Sequence, residues 1–118
     1  MSKQIVTWFI ENVERDGTEQ GHTFYADQDY VPSGLRLMAR QAPDTSAMTC
    51  DIKDDGTTIL SQTARLPVGL ESEGDADEFP NNPPTILAGS LVTLDLVAGG
   101  AKGITVQLEL ETVDEQSS

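Results

Sequence analysis

From Val92 to Glu111 the chain alternates between apolar and polar residues. Val92, Leu94 and Leu96 share one parity, with Thr93 and Asp95 on the other. After Gly99-Gly100-Ala101-Lys102-Gly103 the pattern resumes: Ile104, Val106, Leu108 and Leu110 against Thr105, Gln107, Glu109 and Glu111. Successive side chains on a strand project to opposite faces, so this period predicts two half-buried antiparallel strands, each with one wet face. The glycine-rich segment between them reads as a hairpin loop. It precedes no helix, so it is not a phosphate cradle.

The same reading extends along the chain. Gln4 to Ile10, rich in β-branched and aromatic residues, predicts a strand. Both of its faces carry apolar residues: Ile5 and Phe9 flank Thr7 on one, and Val6, Trp8 and Ile10 lie on the other. A strand apolar on both sides is central in a sandwich or covered by a partner. Residues 1–13 are therefore an N-terminal extended arm, with Ile5, Val6, Trp8, Phe9 and Ile10 as its partner-binding set. Glu14 to Gly21 is a loop and His22 to Ala26 a short strand, followed by a turn at Asp27–Asp29. Leu35, Leu37 and Ala39 alternate with Arg36, Met38 and Arg40. After a turn at Pro43–Ser46, Met48, Cys50 and Ile52 point inward from the next strand. Asp54-Asp55-Gly56 closes a hairpin onto Thr57–Leu60, because Asp-Gly supplies the positive φ values such turns need. Ala64–Val68 is another short strand, Gly69–Pro84 a long acidic, proline-bearing loop, and residues 114–118 a polar tail. About eight short strands without a helix predict an all-β fold. The expected architecture is an antiparallel, jelly-roll-like β-sandwich forming a single domain over residues 1–118.

Charge narrows the partners. Twenty acidic residues against seven scattered basic ones give a net charge of −13. Backbone binding of nucleic acid depends on Lys and Arg neutralising phosphates, so no nucleic-acid partner is expected. No apolar run approaches the span of a bilayer, so no membrane partner is expected, and the N-terminus shows no secretory leader. The single Cys50 alternates with Met48 and Ile52 and packs as a small hydrophobe, consistent with assembly in a reducing cytoplasm.

Candidate chemistry is sparse. His22, the single histidine, has no Gly-x-Ser-x-Gly or second ligand to work with, so neither a catalytic residue nor a zinc site follows from it. The alternating carboxylates Glu73, Asp75 and Asp77 are the weak metal candidates, since calcium takes several oxygens from one loop. A solvated acidic loop is the better reading, and no cofactor is expected. Asp51, Asp54 and Asp55 cluster where a hairpin recruits Asp for backbone reasons. Phe24, Tyr25 and Tyr30 flank one loop and are the candidate glycan-binding platform, against ordinary packing.

Four short patterns carry a resemblance: Leu35-x-Leu37-x-Ala39-x-x-Ala42-Pro43; Asp51-Ile52-Lys53-x-Asp55-Gly56-Thr57-x-Ile59-Leu60; Leu87-Ala88-Gly89-x-x-Val92-Thr93-Leu94-Asp95-Leu96; and Gly103-x-Thr105-Val106-Gln107-Leu108. Together they resemble a small β-sandwich domain that recurs in virion proteins of tailed bacteriophages, in head decoration, head fibres and tail appendages. Ser90 stands where that family's turn often carries Asp. The resemblance implies a virion structural protein and no catalytic residues. Its leading form is a capsid decoration (cement) protein on the outside of the head, bound to the major capsid protein as a homotrimer. The alternative is a tail-fibre or baseplate module binding host-surface glycan.

Overall fold

The computed structural model describes residues 3–11, 22–74 and 84–113. Among these residues nine strands occur, in the order β1 (Lys3–Ile10), β2 (Phe24–Tyr25), β3 (Tyr30–Gln41), β4 (Met48–Asp54), β5 (Thr57–Thr58), β6 (Ala64–Leu66), β7 (Ser72–Gly74), β8 (Leu91–Val97) and β9 (Lys102–Thr112). No helix occurs among the described residues. Two antiparallel sheets form the β-sandwich: β1-β9-β3-β7, and β2-β8-β4-β5 with β6 also on β4. The acidic segment predicted as loop thus contributes a three-residue edge strand, β7, opposite Arg36–Met38.

The core is built in rows of cross-strand neighbours. In the first sheet the register aligns Val6, Leu108 and Leu35; then Trp8, Val106 and Leu37; then Ile10, Ile104 and Ala39. All nine are buried. The second sheet answers with Leu94 opposite Ile52, Cys50 between Leu96 and Ala64, and Met48 opposite Leu66. Full burial of one such aliphatic side chain is worth about 1.5–3 kcal/mol. The register is therefore strongly specified, because a one-residue slip would turn a whole row out to water.

Two turns test the glycine readings. Asp55 (φ 50°) and Gly56 (φ 88°) make the two-residue hairpin between β4 and β5, as the Asp-Gly pair predicts. The Gly99-Gly100 segment does not form the expected hairpin. β8 lies in one sheet and β9 in the other, so residues 98–101 carry the chain between layers. Alternation identifies the buried face of each strand but not its neighbour, which is why a hairpin was expected. The crossing passes tightly against the turn after β3. Gly99 oxygen accepts from the amides of Asp44 (3.1 Å), Thr45 (2.9 Å) and Ser46 (3.4 Å). A Cβ on Gly99, whose φ is +62°, would lie 2.1 Å from Ser46 oxygen.

β3 is longer than the Leu35–Arg40 segment its sequence predicts. Tyr30 and Pro32 point inward, a bulge falls between Pro32 and Gly34, and Leu35, Leu37 and Ala39 then take the inward positions. The extra residue shifts the parity, so an alternation count cannot run through it.

Candidate functional site

The N-terminal strand was expected as an arm apolar on both sides, and the structure separates its two faces. β1 pairs along its whole length with β9 and stands at the end of its sheet. Val6, Trp8 and Ile10 are buried in the protein's own core, whereas Ile5 and Phe9 are each 53% exposed. The arm is therefore an integral edge strand, and Val6, Trp8 and Ile10 leave the set of residues open to a partner. Burial of the indole explains the change: Trp8, at 0% exposure, is part of the core.

His22 closes this edge. The Trp8 indole N–H donates to His22 oxygen at 2.6 Å, and the two rings stack with centroids 5.7 Å apart at 18°. The imidazole Nε2 lies 2.7 Å from Thr7 oxygen on the outer side of β1. The single histidine is thus a structural clasp for an edge strand. On the sheet's outer face, the Arg40 guanidinium sits 5.8 Å from the centre of the Phe9 ring and pairs with Glu11 at 2.8 Å. Lys3 pairs with Glu109 at 3.1 Å. Ile5 and Phe9 form an apolar spot within this mixed-charge surface, with Thr7 between them.

The aromatic platform does not assemble. Phe24 and Tyr25 are adjacent on β2 and so project to opposite faces. Phe24 packs against the core beside Tyr30, with ring centroids 6.1 Å apart at 54°. Tyr30 is 2% exposed, and its hydroxyl donates to Asp27 at 2.6 Å. Burial first, and then the Asp27 carboxylate, push the Tyr30 phenol above its usual pKa. Of the three residues Tyr25 alone, at 62% exposure, stands in solvent.

The acidic candidates divide by position. Glu73 lies on β7 opposite Leu37 by register, while Asp75 and Asp77 lie outside the described residues. No group of three or more metal-ligating side chains occurs among the described residues. The three hairpin aspartates sit in different surroundings. Asp51 accepts from the Thr58 hydroxyl across the β4–β5 ladder. Asp55 accepts from Leu91 amide at 2.9 Å and fastens the hairpin to the start of β8. Asp54 faces inward near buried Ser90, and its Oδ1 is buried without a partner. Desolvation raises the Asp54 pKa above the ordinary carboxylate value.

One concave feature escapes the sequence. On the outer face of the second sheet, Thr23, Lys53, Asp55, Leu91, Thr93 and Asp95 line a groove of about 340 Å³. Lys53 and Asp95 pair across β4 and β8 at 2.8 Å, and this hydrogen bond holds the lysine pKa above its usual value. These positions are the polar half of the alternation, which by itself reads simply as a wet face.

No family model matches this chain, and no curated protein shows significant similarity to it. Among solved structures, it superposes on a chain from the acidic stable capsid structure of Helicobacter pylori bacteriophage KHP30. The TM-score is 0.50 at 12% identity, over 92% of this chain and 90% of that one. The likeness is one of fold, extending over nearly the full length of both chains.

Proposed function

We propose that this chain is a virion structural protein, and specifically a decoration protein that binds the outside of a phage head and braces neighbouring major capsid subunits. The observation that carries the reading is β1. It is an edge strand held rigid by Trp8 and His22, and it presents Ile5 and Phe9 outward. Exposed apolar side chains on a fixed strand give another chain a surface to pack against. The fold shared with a chain of a phage capsid structure supports the setting, as do the turn and strand patterns that resemble tailed-phage virion proteins. A net charge of −13 suits a surface that stays soluble at high local density. A homotrimer at the head's local threefold positions is the assembly the resemblance implies.

The test is binding to purified heads that lack the protein. Wild type should co-sediment with them to saturation. Ile5→Ser and Phe9→Ser should remain folded and lose most of that binding. Unchanged binding by the double variant would remove β1 as the contact and, with it, this reading of the surface. The tail-fibre or baseplate reading drew on Phe24, Tyr25 and Tyr30 as one platform, and the burial of Tyr30 takes that support away.

A further inference from the structure

The outer face of the second sheet is the half of the sandwich that the β1 contact does not use, and it is shaped. β8 and β4 run antiparallel with Thr93 opposite Lys53 and Asp95 opposite Asp51, all on the outward parity. Thr23 and Leu91 close the groove on the β2 side, and the β4–β5 hairpin closes it through Asp55. Tyr25 pairs with Leu91 in the β2–β8 ladder, two residues on from Thr23, and so stands at the rim. It is 62% exposed and Leu91 49%. An exposed aromatic and an exposed leucine thus sit beside a hollow whose walls are carboxylate, ammonium and hydroxyl.

The chemistry of these walls selects a ligand class. The Lys53 charge is engaged by Asp95 at 2.8 Å, and Asp55 adds a second carboxylate. An anion would meet net negative charge here, on a chain already at −13. A metal ion would meet an ammonium group at the centre of the site. A purely apolar guest would strip water from the Lys53–Asp95 pair and from Thr93 and return no hydrogen bond in exchange. A neutral polyhydroxyl ligand meets none of these objections. Its hydroxyls donate to Asp55 and Asp95 and accept from Lys53 and Thr93, while its C–H face lies on Tyr25 and Leu91. A volume of about 340 Å³ is at the small end for a ligand site. It matches one or two sugar rings.

We propose that this groove is a binding site for neutral saccharide, with Tyr25 as its stacking surface and Asp55, Lys53, Thr93 and Asp95 as its polar contacts. The proposal goes beyond capsid attachment and does not depend on it. A saccharide site on the face away from β1 would let a bound protein hold a second, carbohydrate-bearing surface.

The experiment is a titration of the isotopically labelled full chain, followed by amide chemical shifts. The probes are maltose, cellobiose, lactose and chitobiose, with sialyllactose as the anionic comparison. At least one neutral disaccharide should give saturable shifts clustered at Thr23, Tyr25, Lys53, Leu91, Thr93 and Asp95, with millimolar affinity. Tyr25→Ala should weaken it about tenfold, and Thr93→Val, which keeps the side-chain shape, several-fold. Ile5→Ser should leave it unchanged. Absence of saturable shifts with all four neutral sugars would overturn the proposal, as would shifts centred elsewhere or tighter binding of sialyllactose. So would wild-type affinity in both groove variants. No capsid enters this measurement, so its failure is distinct from a failure of head binding.

Discussion

The indole N–H of Trp8 donates to the main-chain oxygen of His22 at 2.6 Å, and the imidazole of His22 returns to Thr7 oxygen, one residue before the tryptophan. This reciprocal pair ties β1 to the segment that enters β2. It bridges the edge of one sheet to the edge of the other, and it makes the N-terminal strand part of the body instead of an appendage.

Removal of that strand should therefore unfold the protein. A sequence-only view of β1 as an arm expects residues 1–10 to be dispensable for folding. The structure predicts the opposite, because Val6, Trp8 and Ile10 are all buried. Trp8→Ala should cost about 3–5 kcal/mol in chemical denaturation. A truncation that kept the native transition would show that the core closes without β1.

Gly99 and Gly56 both have positive φ, yet they should respond differently to alanine. A Cβ at Gly56 meets nothing within 4 Å, whereas one at Gly99 would lie 2.1 Å from Ser46 oxygen. Gly56→Ala should cost about 1 kcal/mol from backbone strain alone. Gly99→Ala should cost more than about 2 kcal/mol, since the strand crossing must also move away from the 44–46 turn. Equal losses in thermal denaturation would mean that the crossing is not held against that turn.

Asp54 gives stability a pH dependence. Its pKa is raised in the folded protein, chiefly by desolvation, so folding disfavours the ionised carboxylate. Below the unfolded-state pKa both states hold the proton and there is no penalty. As pH climbs through the carboxylate range the unfolded chain ionises first, and the native state loses relative stability until the folded group ionises too. Asp54→Asn should accordingly raise the melting temperature at about pH 7, with the gain shrinking towards about pH 3. A gain that persisted unchanged in acid would point to packing instead of charge.

The outward residues of β1 should be separable from the fold. Ile5→Ser and Phe9→Ser remove side chains that are 53% exposed, and each should change stability by no more than about 1 kcal/mol. Phe9→Ser also removes the ring beneath Arg40, so it should be the costlier of the two. Urea denaturation alongside head co-sedimentation separates a binding defect from a folding one. Loss of both together would assign these residues to the core.

Much of the sandwich was legible in the sequence because burial and strand period coincide. Leu94 and Leu96, Ile104 through Leu110, Leu35 and Leu37, and Met48 through Ile52 all face inward as alternation requires. The Asp55-Gly56 hairpin followed from its φ requirement. What escaped was pairing. Nothing in the alternation of β8 and β9 says that they belong to different sheets, and Gly99 reads as a hairpin glycine until the close approach of Ser46 is known. The bulge after Pro32 hid the first part of β3 by shifting its parity. The candidate surfaces were legible only in part. Both faces of β1 are apolar in sequence, and only the third dimension shows that Trp8 is inside and Phe9 outside. Tyr25 was visible as an aromatic, but its ladder partner Leu91, which lines the groove, lies far away along the chain.

The proposed seat of this chain is the outside of a virion head, with β1 against the capsid. Cryo-electron microscopy of intact particles would show that seat. The expected density is a two-sheet body repeated over the outer head surface, with Ile5 and Phe9 of β1 against capsid subunits and the Tyr25 groove turned outward. Particles without this chain, or density placing it elsewhere with β1 free in solvent, would contradict it.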